Sequence, residues 1–199
     1  MLKFNKSVYL LTLSDIFTWG SHSILGALVG IYLSQKLGGN AAEFVGIGTG
    51  IYYLARSITQ IPVGLLLDKI KHDKDEIIIL VLGSILMGSP FLFYSLIQTQ
   101  YLYYALQFVF GLGASMNLVS WRKLFSQSLD VGKVGLEYGI YETSISVATA
   151  IFSIIAGIVA NTSQIYFERV IFAIGLIMIS GSIWVWALLT VKNRKTRNM

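Results

Sequence analysis

The chain has 199 residues, of which 55% are hydrophobic and 13% are charged, and it contains no cysteine. A mean hydropathy of +0.69 excludes an ordinary soluble domain. The absence of cysteine excludes disulfides, thiol chemistry and zinc–thiolate centres, so we expect no metal and no cofactor. The net charge of +5 does not indicate nucleic-acid binding, because the basic residues alternate with long apolar stretches.

Six apolar stretches divide the chain, and each is long enough to cross a bilayer core about 30 Å thick as a helix. They cover about residues 7–34, 41–69, 77–97, 101–125, 136–161 and 165–191, and residues 192–199 form a basic tail. The sequence therefore predicts an all-α integral membrane protein with a single six-helix domain over residues 1–191. The first stretch contains Asp15 and lacks a cleavage-site pattern, so we expect it to be retained.

The basic residues predict the orientation of these spans. Twelve of the 15 lysines and arginines lie on one predicted side of the membrane. They precede span one, lie near the connections between spans two and three and between spans four and five, or follow span six. Lys36 and Arg169 lie on the opposite side, and Arg56 lies within a span. This bias predicts that both termini are cytoplasmic. We expect a multi-pass protein of a prokaryotic inner membrane.

Polar and small residues form a stripe at helical spacing on the first, second, fourth and fifth spans. The stripes include Asp15, Trp19 and His22, then Tyr52 and Arg56, then Gln107, then Glu142. The third and sixth spans show no stripe, and we expect them to face lipid. Spans one to three thus resemble four to six, which is the kind of weak internal repeat found in secondary transporters. Small residues of the fifth span equally fit simple helix packing.

Charged groups inside a membrane are costly and are functional by default. Arg56 lies twelve residues before Asp68 and Asp15 nine residues after Lys6, so their depths differ by about 5 Å. We expect the two to pair, either as a static packing contact or as a proton-carrying acid gated by an arginine. Glu142 is shallower and could simply reach the interface. His22 could carry a second proton, although a neutral histidine bonded to the backbone is the favoured interpretation.

The pattern Gly64-x-x-x-Asp68-Lys69, followed by Lys71 and His72, lies between spans two and three. It resembles the loop between helices 2 and 3 in the major facilitator superfamily of secondary transporters, except that Lys71 and His72 replace a glycine and a base. The stretch from Gln107 to Ala114 is similar to the helix-four motif of that family, with Gln107 in place of an arginine.

The resemblance implies a fold of three-plus-three repeated helices. Spans one and four would line a central cavity, two and five would form a seam between halves, and three and six would lie outermost. It further implies conformational gating by Gly64, Asp68 and Lys69. Asp15, Trp19, His22, Tyr52, Arg56, Gln107 and Glu142 become candidates for binding substrate or protons.

Members of the family usually have twelve helices in two halves, and this chain supplies one half. The resemblance therefore implies a small-solute transporter that works by alternating access with a second copy of itself. In such a dimer Asp68 would meet the partner's residues 135–137 at the start of span five. Two alternatives are one half of a heterodimer, and a non-transporting scaffold or receptor subunit. An enzyme is not expected, since Gly113-Ala114-Ser115-Met116 departs from the rhomboid-protease motif and span six has no histidine.

Overall fold

A computed structural model describes residues 5–38, 40–69, 73–161 and 163–195, and every regular element in these ranges is helical. The helices are α1 (Lys6–Asp15), α2 (Ser21–Leu37), α3 (Ala41–Lys69), α4 (Asp73–Leu92), α5 (Gln100–Ser128), α6 (Val134–Ala160) and α7 (Gln164–Lys195). A π-helical turn over Ile16–Gly20 joins α1 to α2, and a 3₁₀ turn over Tyr94–Leu96 follows α4. The all-helical prediction is confirmed. Residues 70–72 of the loop motif and 196–199 of the tail lie outside the described residues.

Four helical segments in the described ranges are long and apolar enough to cross a membrane: Lys74–Leu96, Gln100–Ser128, Val134–Ala160 and Tyr166–Val191. The first segment, bent by 49° between its parts Lys6–Leu25 and Leu28–Leu37, makes a fifth if it counts as one span. α3 has 29 residues but is not among these candidates, since polar residues such as Arg56 and Gln60 interrupt its apolar sequence. The chain is an integral membrane protein. Of the six predicted spans, four or five are long and apolar enough in the described residues to cross a membrane.

Glycines bring α4 into close contact with α5 and α7. A Cβ atom added at Gly113 would lie 2.6 Å from the backbone nitrogen of Met87, and one at Gly88 would lie 2.6 Å from the carbonyl oxygen of Gly175. Gly83 is equally tight against the backbone of α5. Real Cβ atoms do not approach backbone this closely, so these positions accept hydrogen alone. Small residues of this kind are how membrane helices pack without a hydrophobic driving force.

Spans three and six, which we expect to face lipid, also have faces that pack inside the chain. Half of the apolar window of α4 is buried, whereas only 11% of that of α6 is buried. The packing face of α4 combines glycine and serine with buried apolar residues such as Leu80 and Met87, so it does not stand out as a polar stripe. α6 rests on α2, α7 and the π turn, and most of its surface is open in the single chain.

Two apolar clusters lie at opposite ends of the helices. One contains the buried rings of Tyr32, Tyr94, Tyr103 and Phe110. The other is centred on Trp121 and its neighbours near the cytoplasmic ends predicted from charge. Each cluster borders one cavity: rings of the first cluster line a cavity of about 270 Å³, and Trp121 of the second lines a cavity of about 660 Å³.

Candidate functional site

The first helical segment changes pitch directly after Asp15, where Ile16–Gly20 form the π turn. The Thr18 hydroxyl donates to the carbonyl oxygen of Ser14 at 2.9 Å and so satisfies a backbone acceptor beside the wider turn. Gly181 of α7 allows the close approach, since a Cβ there would lie 2.5 Å from Thr18 Oγ1. π turns of this kind are frequent at functional sites.

Asp15 is 4% exposed and lies at a cavity of about 660 Å³, which we call the Asp15 cavity. Its lining includes Asp15, Trp19, Arg122, Lys123, Tyr141 and Glu142. The Tyr141 hydroxyl donates to Asp15 Oδ2 at 2.6 Å, which is the only hydrogen bond of this carboxyl group within the described ranges. A single neutral donor holds the carboxylate, so a proton or a solute cation can still reach its remaining acceptor sites.

A polar chain connects this cavity to the packed interior. Trp19 Nε1 donates to Asn117 Oδ1 at 2.8 Å, and Asn117 Nδ2 donates to Ser84 Oγ at 3.0 Å. Asn117 and Ser84 are both buried. Trp19 therefore keeps a fixed orientation at the cavity wall, and this orientation depends on α4 and α5 as well as on its own helix.

A second, smaller cavity of about 270 Å³ lies within the same chain between α2, α3, α4 and α5, and we call it the aromatic pocket. Its lining includes His22, Tyr52, Tyr94, Tyr103, Gln107 and Phe110. The imidazole ring of His22 stacks on Phe110 with centroids 4.8 Å apart, and the ring of Tyr52 also stacks on Phe110 at 4.8 Å.

The structure thus divides the predicted binding residues between two places. Asp15, Trp19 and Glu142 line the Asp15 cavity, whereas His22, Tyr52 and Gln107 line the aromatic pocket. A helix of constant pitch would place all of Asp15, Trp19 and His22 on one stripe. The π turn between Asp15 and His22 shifts the phase of the helix, so that His22 is directed to the other side.

The predicted Asp15–Arg56 ion pair does not form. Arg56 Nη1 instead donates to the hydroxyl of Tyr52 at 3.1 Å, one turn earlier on α3. No carboxylate of the described ranges lies within 4.0 Å of Arg56. The sequence suggested the pair from similar depth alone, but Asp15 lines the Asp15 cavity, whereas Arg56 lines neither that cavity nor the aromatic pocket.

The expected backbone hydrogen bond of His22 is also absent. Neither ring nitrogen has a hydrogen-bond partner in the part of the chain that the structure describes. The ring is held by aromatic contacts alone, with Trp19 edge-on at 5.4 Å and Phe91 at 6.5 Å between centroids. Both nitrogens are therefore available to a molecule in the aromatic pocket.

The Major Facilitator Superfamily profile matches residues 11–198 of the chain. The chain belongs to this superfamily. It has about half the usual size of a member. No curated protein and no solved structure matches the chain.

The superfamily loop motif forms a charged cluster around Lys123 of α5. Lys123 Nζ donates to the carbonyl oxygen of Leu67 at 2.6 Å and lies 2.9 Å from Glu76 Oε1 and 3.6 Å from Asp68 Oδ1. Glu76 is buried, whereas the Asp68 side chain is 78% exposed. Asp68 thus keeps most of its surface free at the end of α3. Lys69 is exposed, and a Cβ at Gly64 would make only an ordinary contact with Val119, 4.0 Å away.

Sequence analysis missed three functional candidates of this superfamily member. Tyr141, Trp121 and Arg122 all line the Asp15 cavity, although Arg122 counted only as a cytoplasmic charge. The signal for Tyr141 was present, since Tyr138, Tyr141 and Ile145 recur at helical spacing on the face of α6 that lines the cavity. The predicted stripe on this helix instead contained Glu142, which is exposed in the single chain.

Proposed function

We propose that this chain is half of a secondary active transporter of a small solute, that two copies form a homodimer, and that alternating access is coupled to a proton carried by Asp15. In this proposal six spans cross the membrane, α3 included, and both termini are cytoplasmic. The family membership supports secondary transport.

One observation carries the proposal: a buried carboxyl group borders a large cavity and has a single neutral hydrogen-bond partner. An acid at membrane depth that is not neutralised by a protein cation needs a proton, water or solute to compensate its charge. Arg122 shares the cavity, but it makes no ion pair with Asp15 among the described residues. Loss and gain of a proton at Asp15 would alter the charge of the cavity and thereby the solute it favours.

The outer face of α6 supports a second protein half. Glu142 lies eight residues after the start of α6, about 12 Å along the helix, and it is exposed in the single chain. Ser146 and Ser153 on the same helix are exposed too. On α3, Ser57 is exposed and Arg56 and Gln60 are half-buried. Ionisable side chains at membrane depth normally face protein or water, so a partner across α3 and α6 would remove this exposure.

Transport is tested with purified protein in liposomes that carry an inwardly directed proton gradient and a pH-sensitive dye, screened against pooled small solutes. We expect a solute-dependent collapse of the gradient that Asp15→Asn abolishes. Asp75→Asn is the matched control, because Asp75 is exposed in the first turn of α4. Equal activity of Asp15→Asn and wild type would rule out proton coupling through Asp15, and no solute movement in any variant would favour a scaffold or receptor subunit.

The homodimer is tested by disulfide cross-linking, in which only the introduced cysteines can react because the chain has none of its own. A variant with Ser57→Cys and Ser146→Cys should form covalent dimers on mild oxidation, since the two-fold arrangement brings α3 against α6 of the partner. Leu82→Cys on the exposed face of α4 is the control and should not cross-link. Native mass spectrometry should give twice 22.0 kDa. A 22.0 kDa species that persists in lipid would contradict the homodimer and favour a heterodimeric half.

A further inference from the structure

We infer that the aromatic pocket is a binding site for a small planar aromatic carboxylate, such as a compound with one or two fused rings. The pocket is complete within a single chain. The inference rests on the proposed function only where the bound acid is taken to be the transported solute.

The shape and composition of the pocket define the ring portion of the ligand. A volume of about 270 Å³ is just below the range of pockets for drug-sized molecules, which fits a compound of one or two rings. The rings of His22, Tyr52, Phe91 and Phe110 form a continuous series of contacts, with centroid separations of 4.8–6.5 Å. Aromatic rings at these separations prefer offset-stacked or edge-on neighbours, and a planar guest would extend the series.

The hydrogen-bond pattern defines the polar portion. The guanidinium of Arg56 can only donate, so the Tyr52 hydroxyl accepts from it and must direct its own hydrogen elsewhere. Within the described ranges that hydrogen has no acceptor. Tyr103 is different, since its hydroxyl pairs at 2.7 Å with the side-chain amide of Gln107, a group that can both donate and accept. The Tyr52 hydroxyl is therefore the donor that needs an acceptor from outside the described chain.

Charge selects a carboxylate among the possible acceptors. No aspartate or glutamate lines the aromatic pocket. Arg56 stands behind Tyr52 and makes no ion pair in the described ranges, so its charge at membrane depth is uncompensated by protein. A carboxylate that accepts from Tyr52 would lie beside this cation. An organic cation would meet the same arginine without any compensating acid.

Glycine at position 48 preserves the space that Tyr103 occupies. A Cβ added at Gly48 would lie 2.3 Å from Cε1 and 2.9 Å from the hydroxyl oxygen of the Tyr103 ring. Tyr103 is itself fully buried. Gly48→Ala therefore displaces the Tyr103 ring without removing any hydrogen-bonding group, and it tests the pocket by its shape.

The test compares three probes that share one ring system: 2-naphthoate, 2-naphthamide and 2-naphthylmethylammonium. Binding to the full chain in lipid nanodiscs is measured by fluorescence without any gradient, and the signal of empty nanodiscs is subtracted. We expect the naphthoate to bind at least tenfold more tightly than the ammonium compound, with the amide between them. Tyr52→Phe should weaken naphthoate binding about tenfold, because a hydrogen bond to a charged group is lost. Arg56→Gln should weaken it about tenfold as well, because the cation beside the carboxylate is lost.

Tyr101→Phe is the matched control, since Tyr101 is a 72% exposed tyrosine on the same helix as Tyr103 and should leave binding unchanged. Thermal melting of each variant verifies that it folds. Three results would overturn the inference: no naphthoate signal above empty nanodiscs, equal binding of the ammonium probe, or unchanged affinity in folded Tyr52→Phe. Binding is read without a gradient or a transport step, so naphthoate binding by a chain that moves no solute would support the pocket and contradict the proposed function alone.

Discussion

The α4 side and the α6 side of this chain differ in how closely they pack against the other helices. α4 is locked between α5 and α7 by glycines whose hydrogens touch the neighbouring backbone, whereas α6 carries exposed polar residues and covers little of its own apolar surface. The α4 side is closely packed within the chain, whereas most of the α6 surface is open in the single chain. The proposed second copy would cover this open surface.

The largest effect on the free energy of unfolding is expected on the α4 side. Gly113→Ala places a methyl group 2.6 Å from the backbone nitrogen of Met87, and backbone on both sides must move. We expect a loss of about 2–3 kcal/mol in the free energy of unfolding, as in overpacked cores. Gly157→Ala on α6, where nothing lies within 4 Å, should be neutral or slightly stabilising. Thermal unfolding in detergent measures both, and equal losses would remove the distinction between the two sides.

The next effect concerns the charged cluster that anchors α3 and α4 to α5. Lys123→Met leaves the buried carboxyl group of Glu76 without its cation, 2.9 Å away in the native chain. A buried pair broken on one side costs about 3–5 kcal/mol, and partial exposure of Lys123 should lower this to about 2 kcal/mol. Adding Glu76→Gln should recover part of the loss in a double-mutant cycle. No recovery would mean that Lys123 acts mainly through the carbonyl of Leu67.

A smaller effect on stability is expected at the ion pair that joins α2 to α7. Lys36 Nζ lies 2.8 Å from Glu168 of α7 and 3.0 Å from the hydroxyl of Tyr32. Because both charged groups are partly exposed, Glu168→Gln should reduce the free energy of unfolding by about 0.5–1 kcal/mol. Arg169→Gln, whose side chain lies over the ring of Tyr166, is the neighbouring control. High salt should weaken the wild-type advantage.

The smallest effect on stability is expected on α6. Ile158 is 67% exposed, so Ile158→Ala should change the free energy of unfolding by less than about 0.5 kcal/mol. If a second copy covers this face, the same substitution should raise the dimer dissociation constant, measured by dilution in lipid. An unchanged dissociation constant would place Ile158 in contact with lipid and confine the interface to the polar residues.

Sequence periodicity predicted the helical segments because long apolar stretches in a membrane have few alternatives. It failed wherever the deciding contact was a glycine or a change of pitch. The stripe from Asp15 to His22 assumes 3.6 residues in every turn, and the π turn over Ile16–Gly20 breaks that assumption. Hence the candidate residues of the first segment, which the stripe assigns to one site, line two separate cavities.

Partners across helices were harder to predict than depth. Asp15 and Arg56 have similar depths, yet the hydroxyls of Tyr141 and Tyr52 bind them instead. Tyrosine is common in membrane helices, so no pattern distinguishes these two from the other nine. Only the arrangement of α1, α3 and α6 in space decides which hydroxyl lies beside which charge.

The aromatic pocket is enclosed by one chain, and this has a consequence for titration curves. An assembly of two such chains would hold two equivalent pockets, so saturation would occur at one ligand per chain and not one per assembly. Arg56 lies on α3, the helix proposed to meet the partner. Binding of ligand in one pocket would then change the affinity of the pocket in the partner. A Hill coefficient different from one would report this coupling across the two-fold axis.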